Sequence, residues 1–187
     1  MSKKLLITGF TPFNGLTINP SYEAVKALPD HINDISIYKR LINTSFETSF
    51  EELKDFIDEI HPDYIINVGV ACGRKMVCLE KQAFNERTEG PSTIKILEEG
   101  PDVLETTLDY QTIIKNVPNL MLSLSAGRFV CNYLMYKTLN ATRNTSIKVG
   151  FIHVPAMEGM NLSRPDTPKL PLYDIIHVIE DIIITLE

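Results

Sequence analysis

Short apolar runs alternate along this chain with longer segments that have helical periodicity. Runs at 4–8, 64–68, 120–124 and 148–154 read as buried strands, and alternating polarity predicts a further strand at 35–41. Apolar positions at helical spacing predict helices directly after Asn19-Pro20 and over 46–60, 108–115, 129–139 and 172–186. The order predicts an α/β fold: one three-layer α/β/α domain over residues 1–187, with a mainly parallel, twisted sheet.

The remaining segments have weaker patterns. Residues 76–84 fit either a strand or irregular structure. Residues 85–100 are polar, contain glycine and proline, and predict a long loop with one short strand. Residues 155–171 hold four prolines and predict a loop. Ligands of parallel sheets bind beyond the carboxyl ends of the strands, which singles out the loops after Thr8, Val68, Leu124 and His153.

Composition and charge argue against several classes of function. The net charge of −6 gives no basic surplus for binding nucleic acid, and no apolar stretch reaches the length of a membrane span. The first residues are too short an apolar run for a secretory signal. The three cysteines are odd in number and fit neither a disulfide framework nor a zinc pattern. We therefore expect a cytoplasmic protein with no metal.

Three residues form a candidate catalytic group. Cys131 follows the turn Ser125-Ala126-Gly127 near a predicted helix N-terminus, which favours a thiolate, although on position alone a buried structural cysteine is the more common case. His153 ends a buried strand and is either a general base or a core histidine. Glu80 is the carboxylate available to orient the imidazole, or else an exposed residue on a strand edge.

The loop after the first strand carries two aromatic residues, Phe10 and Phe13, in TGFTPFNG. They could line a flat apolar slot or pack the loop onto the protein. The glycine pattern of dinucleotide-binding loops is absent there, and no Walker sequence occurs in the chain, so no nucleotide cofactor is expected.

These segments together resemble the pyroglutamyl peptidase type I family, also called pyrrolidone-carboxylate peptidases. The resemblance runs through TGFTPFNG, INPSYEAVKALP, PDYIINVGVACGR, CLEKQAFN, SAGRFVCNYLMY and GFIHVP, in that order. It implies an intracellular cysteine peptidase that removes N-terminal pyroglutamate from small peptides with a blocked N-terminus. It also implies no cofactor, no nucleic acid or membrane partner, and a homo-oligomer, either tetramer or dimer.

The resemblance assigns roles to particular residues. Cys131 matches the nucleophile, His153 the base and Glu80 the orienting acid. The residues that match the substrate pocket are Phe10, Phe13, Asn19, Phe129 and, through its backbone, Val70.

Three departures from the family pattern leave alternatives open. Val70 stands where the family usually has glutamine, and Arg128 where it usually has threonine. The loop after Asn85 is shorter than in the family, and Arg87 is the candidate for that loop's oxyanion-binding arginine. A thiol hydrolase with a changed acyl specificity and a catalytically silent binding homologue therefore both stay open.

Overall fold

The computed structural model describes residues 2–186. The helices are α1 (Pro20–Ala27), α2 (Ser49–Ile60), α3 (Tyr110–Asn116), α4 (Val130–Thr142) and α5 (Leu172–Ile184). The strands are β1 (Lys3–Phe10), β2 (His31–Ile32), β3 (Ile35–Ile42), β4 (Tyr64–Val70), β5 (Val77–Glu80), β6 (Gln82–Phe84), β7 (Arg87–Glu89), β8 (Ser92–Ile94), β9 (Val103–Glu105), β10 (Leu120–Ser123), β11 (Lys148–Val154), β12 (Ala156–Met157) and β13 (Lys169–Leu170).

A central sheet of seven strands has the order β10-β5-β11-β4-β1-β3-β2. The strands β11, β4, β1 and β3 form a parallel block, as the apolar runs predict. Strands β5 and β10 are parallel to each other but antiparallel to β11, and β2 is antiparallel to β3. The sheet is therefore mixed and mostly parallel.

Helices cover both faces of this sheet. Alternate side chains of β1 enter different cores: Leu5 and Ile7 pack with α1, α3 and α5, while Leu6 packs with α2 and α4. A strand that is buried on both faces has no polar alternation, which explains the continuous apolar runs. The predicted three-layer α/β/α architecture is confirmed.

The start of α1 follows from its sequence. Asn19 is the N-cap, its side-chain oxygen accepts a hydrogen bond from the Ser21 amide at 3.1 Å, and Pro20 occupies the first helical turn. A cap side chain satisfies an amide that has no partner within the helix. The Asn-Pro start signal is thus confirmed, and it fixes the end of the loop that carries Phe13.

The irregular segments contain more structure than their patterns predict. Residues 85–100 hold two short strands, the antiparallel pair β7–β8, rather than one. Residues 155–171 include the short parallel pair β12–β13 rather than loop alone. Both pairs are too short for a periodicity signal, because strands of two or three residues carry no readable alternation.

Candidate active site

A cavity of about 640 Å³ opens beyond the carboxyl ends of β1, β4 and β11. Loops after these strands and the turn before α4 form its walls. Its lining includes Phe10, Phe13, Asn14, Asn19, Thr44, Val70, Ala71, Arg74, Ser125, Ala126, Gly127, Phe129, Val130, Cys131 and His153. The loop after β10 reaches this cavity although β10 runs opposite to β11, because residues 124–129 lead the chain back to the start of α4.

Cys131 is the second residue of α4, with Phe129 as the N-cap. The first backbone N–H groups of a helix have no partner inside it and favour an anion at that end. The preceding turn contains Gly127 at φ 82°, a conformation that favours glycine. The thiol therefore lies where backbone donors can stabilise both a thiolate and an oxyanion.

Strand β4 passes directly beneath the thiol at Gly69. A Cβ atom at this position would lie 2.8 Å from Cys131 Sγ and 3.0 Å from the Phe151 ring. Real Cβ atoms do not approach other atoms that closely, so any side chain here would push the thiol aside. Gly69 pairs in register with His153 on β11, which brings the histidine beside the thiol.

His153 is buried and joins two other functional side chains. Its Nδ1 atom lies 2.7 Å from Glu80 Oε1, and His153 lines the same cavity as Cys131. Burial alone would lower the pKa of His153, but the charges and hydrogen bonds of Cys131 and Glu80 outweigh it and raise the pKa to about 9.

Glu80 ends β5 and is completely buried, so the alternative of an exposed carboxylate on a strand edge is wrong. Its Oε1 atom accepts hydrogen bonds from His153 and from Arg74 Nη2, the latter at 3.1 Å. A buried carboxylate requires such charged or hydrogen-bonded partners. Arg74 was not a predicted site residue; a cation just past the carboxyl end of β4 is the signal that could have found it.

Aromatic side chains form much of the cavity wall. Phe10 is buried with its ring 6.4 Å from that of Phe151, so it both lines the cavity and packs into the core. Phe13 is half-buried, and Phe129 is 67% exposed at the cavity mouth. An exposed ring at the entrance of a pocket is available to a ligand.

Asn19 and Val70 line the same cavity in different ways. The amide of Asn19 is occupied within the protein: Nδ2 donates to the Thr11 carbonyl at 3.0 Å, and Oδ1 accepts from Ser21. Asn19 therefore holds the loop between β1 and α1 in shape. Val70, at the end of β4, contributes a largely buried apolar surface.

The two arginines that the sequence analysis singled out, Arg87 and Arg128, both lie outside the cavity lining. Arg87 packs its guanidinium over the rings of Phe46 and Tyr133 and pairs with Glu89 at 3.5 Å. Arg128 bonds Glu86 at 2.5 Å. The suggestion that Arg87 binds the oxyanion therefore has no support in this geometry, because these contacts hold its guanidinium against Phe46, Tyr133 and Glu89.

Within 2–186, no group of three or more histidine, cysteine or acidic side chains could hold a metal ion. In the same range, no helix is both long and apolar enough to cross a membrane.

The α/β fold, with a thiol at a helix N-terminus next to a buried histidine–carboxylate pair, defines the class of thiol hydrolases. The model of the family described as "Pyroglutamyl peptidase" matches residues 3–186. The chain belongs to the pyroglutamyl peptidase family.

Individual relatives agree with this assignment. The chain is 37% identical to a pyrrolidone-carboxylate peptidase of Clostridium perfringens, with 95% of this chain and 90% of that protein covered. The crystal structure of pyroglutamyl peptidase I from Bacillus amyloliquefaciens superimposes with a TM-score of 0.94 at 32% identity, covering 100% of this chain and 95% of that one. The pyrrolidone carboxyl peptidase of Thermococcus litoralis gives a TM-score of 0.92 at 31% identity, covering 98% and 93%.

Proposed function

We propose that this chain is a cysteine peptidase that removes an N-terminal pyroglutamyl residue from peptides, with Cys131 as nucleophile, His153 as general base and acid, and Glu80 as the orienting acid. The observation that carries this proposal is that Cys131 and His153 line the same cavity, with the Cys131 thiol against Gly69, the register partner of His153, and with Glu80 Oε1 2.7 Å from His153 Nδ1. The relatives named pyrrolidone-carboxylate peptidase support the choice of substrate.

The reaction begins with Cys131 as a thiolate and His153 as an imidazolium. The thiolate attacks the carbonyl carbon of the pyroglutamyl residue, and the carbonyl oxygen becomes an oxyanion. Backbone N–H groups at the start of α4 stabilise that oxyanion, and each such donor is worth about 10²–10³ in rate. His153 then gives its proton to the leaving amine, and the C–N bond breaks to leave a thioester on Cys131.

Water completes the cycle. His153, now neutral, takes a proton from the water molecule that attacks the thioester. The C–S bond breaks, pyroglutamate leaves, and the thiolate–imidazolium pair is restored. Glu80 accepts the Nδ1–H of His153 throughout, so the opposite ring nitrogen stays directed at the reacting atoms.

The pyroglutamyl ring is a flat, neutral lactam, and the cavity wall suits such a group. Phe10, Phe13 and Phe129 offer apolar ring surfaces, and Val70 adds an aliphatic one. We propose that backbone groups near Val70 pair with the lactam N–H and C=O. A buried polar group left unpaired costs about 1–3 kcal/mol, so ligands that lack the lactam carbonyl should bind poorly.

A panel of fluorogenic amides tests the substrate class. We expect the pyroglutamyl amide to be cleaved with a kcat/KM about 10²-fold or more above that of the prolyl amide, which has the same ring without the lactam carbonyl. An N-acetylalanyl amide serves as the open-chain blocked control. Faster cleavage of the acetylated amide would favour the thiol hydrolase with changed specificity, a candidate that Val70, Arg128 and the short loop after Asn85 motivate. No cleavage of any member would favour a silent binding homologue.

We also propose that the chain forms one domain over 1–187 and a cytoplasmic homo-oligomer, either dimer or tetramer. Side chains of Met121 and Leu124 on and next to the edge strand β10 are exposed, which supports a contact between copies there. The three cysteines are free, as is usual in a reducing compartment. Sedimentation velocity is expected to give two or four times the monomer mass of 21.1 kDa. A single species at the monomer mass would contradict an oligomer.

A further inference from the structure

Arg74 makes the most extensive side-chain contacts of any group at the cavity that the reaction above leaves without a role. Its Nη2 atom donates to Glu80 Oε1 at 3.1 Å, to Ser123 Oγ at 2.9 Å and to the Ser125 carbonyl at 3.1 Å. Its Nη1 atom lies 3.5 Å from Cys78 Sγ. One guanidinium thus joins the loop after β4 to the end of β5 and to the segment that leads into α4.

The charge of Glu80 is the first reason why its contact with Arg74 matters. Its carboxylate is fully buried, and its Oε2 atom has no hydrogen-bond partner among the described residues. The titratable groups that face it are Arg74, Cys78 on its own strand and His153 on β11. A buried carboxylate without a compensating cation is strongly disfavoured.

His153 cannot supply that compensation throughout the cycle. The imidazole becomes neutral each time it gives its proton to the leaving amine, so Glu80 then loses one of its two charged partners. An arginine side chain stays protonated in proteins. Arg74 therefore stays a charged partner of Glu80 in the steps where His153 is neutral.

The second reason is the position of the nucleophile. Ser125 begins the turn Ser125–Gly127, which lines the cavity and leads to Cys131. The Arg74 guanidinium contacts the Ser125 carbonyl and Glu80 at the same time. A planar guanidinium with fixed donor directions sets the spacing between the two acceptors more tightly than a flexible ammonium can.

We propose that Arg74 is a positioning residue of the catalytic centre, which holds the Glu80 carboxylate in place beside His153 and fixes the turn before Cys131 relative to it. It acts through Glu80 and Ser125 and does not itself react. The inference rests on the proposed roles of Cys131, His153 and Glu80.

The test compares Arg74→Met, which keeps an unbranched apolar stem without the charge, with Arg74→Lys, which keeps the charge. The matched control is Arg40→Met. Arg40 is also 29% exposed and pairs with Glu59 at 2.9 Å, but it lies outside the cavity lining. The measurements are kcat and KM for the pyroglutamyl amide, the melting temperature, and the pH dependence of Cys131 alkylation by iodoacetamide, resolved by mass spectrometry.

We expect Arg74→Met to lower kcat by about 10- to 100-fold, the equivalent of one charge-assisted hydrogen bond, with a much smaller change in KM. The pH profile of Cys131 alkylation should shift, because the Arg74 charge has gone from Glu80, the partner of His153. Arg74→Lys should recover part of both effects, and Arg40→Met should change neither. If Arg74→Met does not fold, Arg74→Gln takes its place with the same expectation.

Two results would overturn the proposal: a folded Arg74 variant with unchanged kcat and an unchanged alkylation profile, or an equal change in both measurements for Arg40→Met. Alkylation needs no substrate and therefore still tests Arg74 if the wild type cleaves no pyroglutamyl amide. That result would count against the proposed function alone.

Discussion

Replacement of Cys131 by alanine is expected to lower kcat for a pyroglutamyl amide by about 10⁵-fold or more, the scale seen when a catalytic nucleophile is removed. The thiolate supplies the bond that carries the acyl group between the two half-reactions, and alanine has no atom that can form it. Cavity, helix N-terminus and His153 would all remain, so substrate binding should persist. Active enzyme and variant are compared under reducing conditions in the same continuous assay.

The other two cysteines provide the control for this prediction. Burial raises the pKa of both Cys72 and Cys78, so neither is expected to be a nucleophile near neutral pH. Cys72 lies outside the cavity lining, so Cys72→Ala is expected to keep wild-type kcat. A Cys131→Ala variant that retains more than about 1% of kcat would contradict the assignment of the nucleophile.

Replacement of Glu80 by glutamine is expected to lower kcat by about 10³–10⁴-fold, the loss known when the acid of a catalytic triad becomes its amide. Glutamine has nearly the same shape, so the buried site stays filled. It is neutral, however, and it can present an N–H to His153 instead of accepting the Nδ1–H. Arg74 would at the same time lose the anion that it contacts.

The same substitution should change the pH profile in a defined direction. The wild-type imidazolium persists up to about pH 9, because Cys131 and Glu80 raise the pKa of His153 despite its burial. We therefore expect kcat/KM of the wild type to fall as the pH rises through about 9. Without the Glu80 charge the pKa of His153 is lower, so this alkaline fall should begin at a lower pH.

Rates from pH 6 to 10 test whether the alkaline fall depends on the charge of Glu80. They are measured for the wild type, for Glu80→Gln and for the control Glu105→Gln. Glu105 pairs with Lys81 at 3.2 Å and does not line the cavity, so its variant should follow the wild-type curve. A Glu80→Gln variant that is slower but keeps its alkaline fall near pH 9 would mean that Glu80 supports the fold without acting on His153.

Much of the architecture could be predicted from the chain because burial leaves a local pattern. The apolar runs of β1, β4 and β11 are continuous because helices cover both faces of these strands. The Asn19-Pro20 cap is readable because its hydrogen bonds join residues next to each other. The placement of His153 at the cavity followed from the rule for carboxyl ends of parallel strands. Cys131 reaches the same cavity through the turn before α4, because β10 runs opposite to β11.

Strand direction and charge pairing had no such local signal. The apolar pattern of β10 is the same whichever way the strand runs, so its antiparallel relation to β11 came only from the assembled sheet. The resemblance pointed to Arg87 for the oxyanion, but the rings of Phe46 and Tyr133 hold that guanidinium elsewhere.

The sequence by itself therefore determined the order of strands and helices, the three-layer architecture and the residue types available for thiol chemistry. Only the tertiary structure decided that Glu80 is fully buried, that it contacts a histidine 73 residues away, and that Arg74 is its second partner. The physical reason is that periodicity records the burial of one segment. The environment of a charged side chain depends instead on which distant segments the fold packs against it.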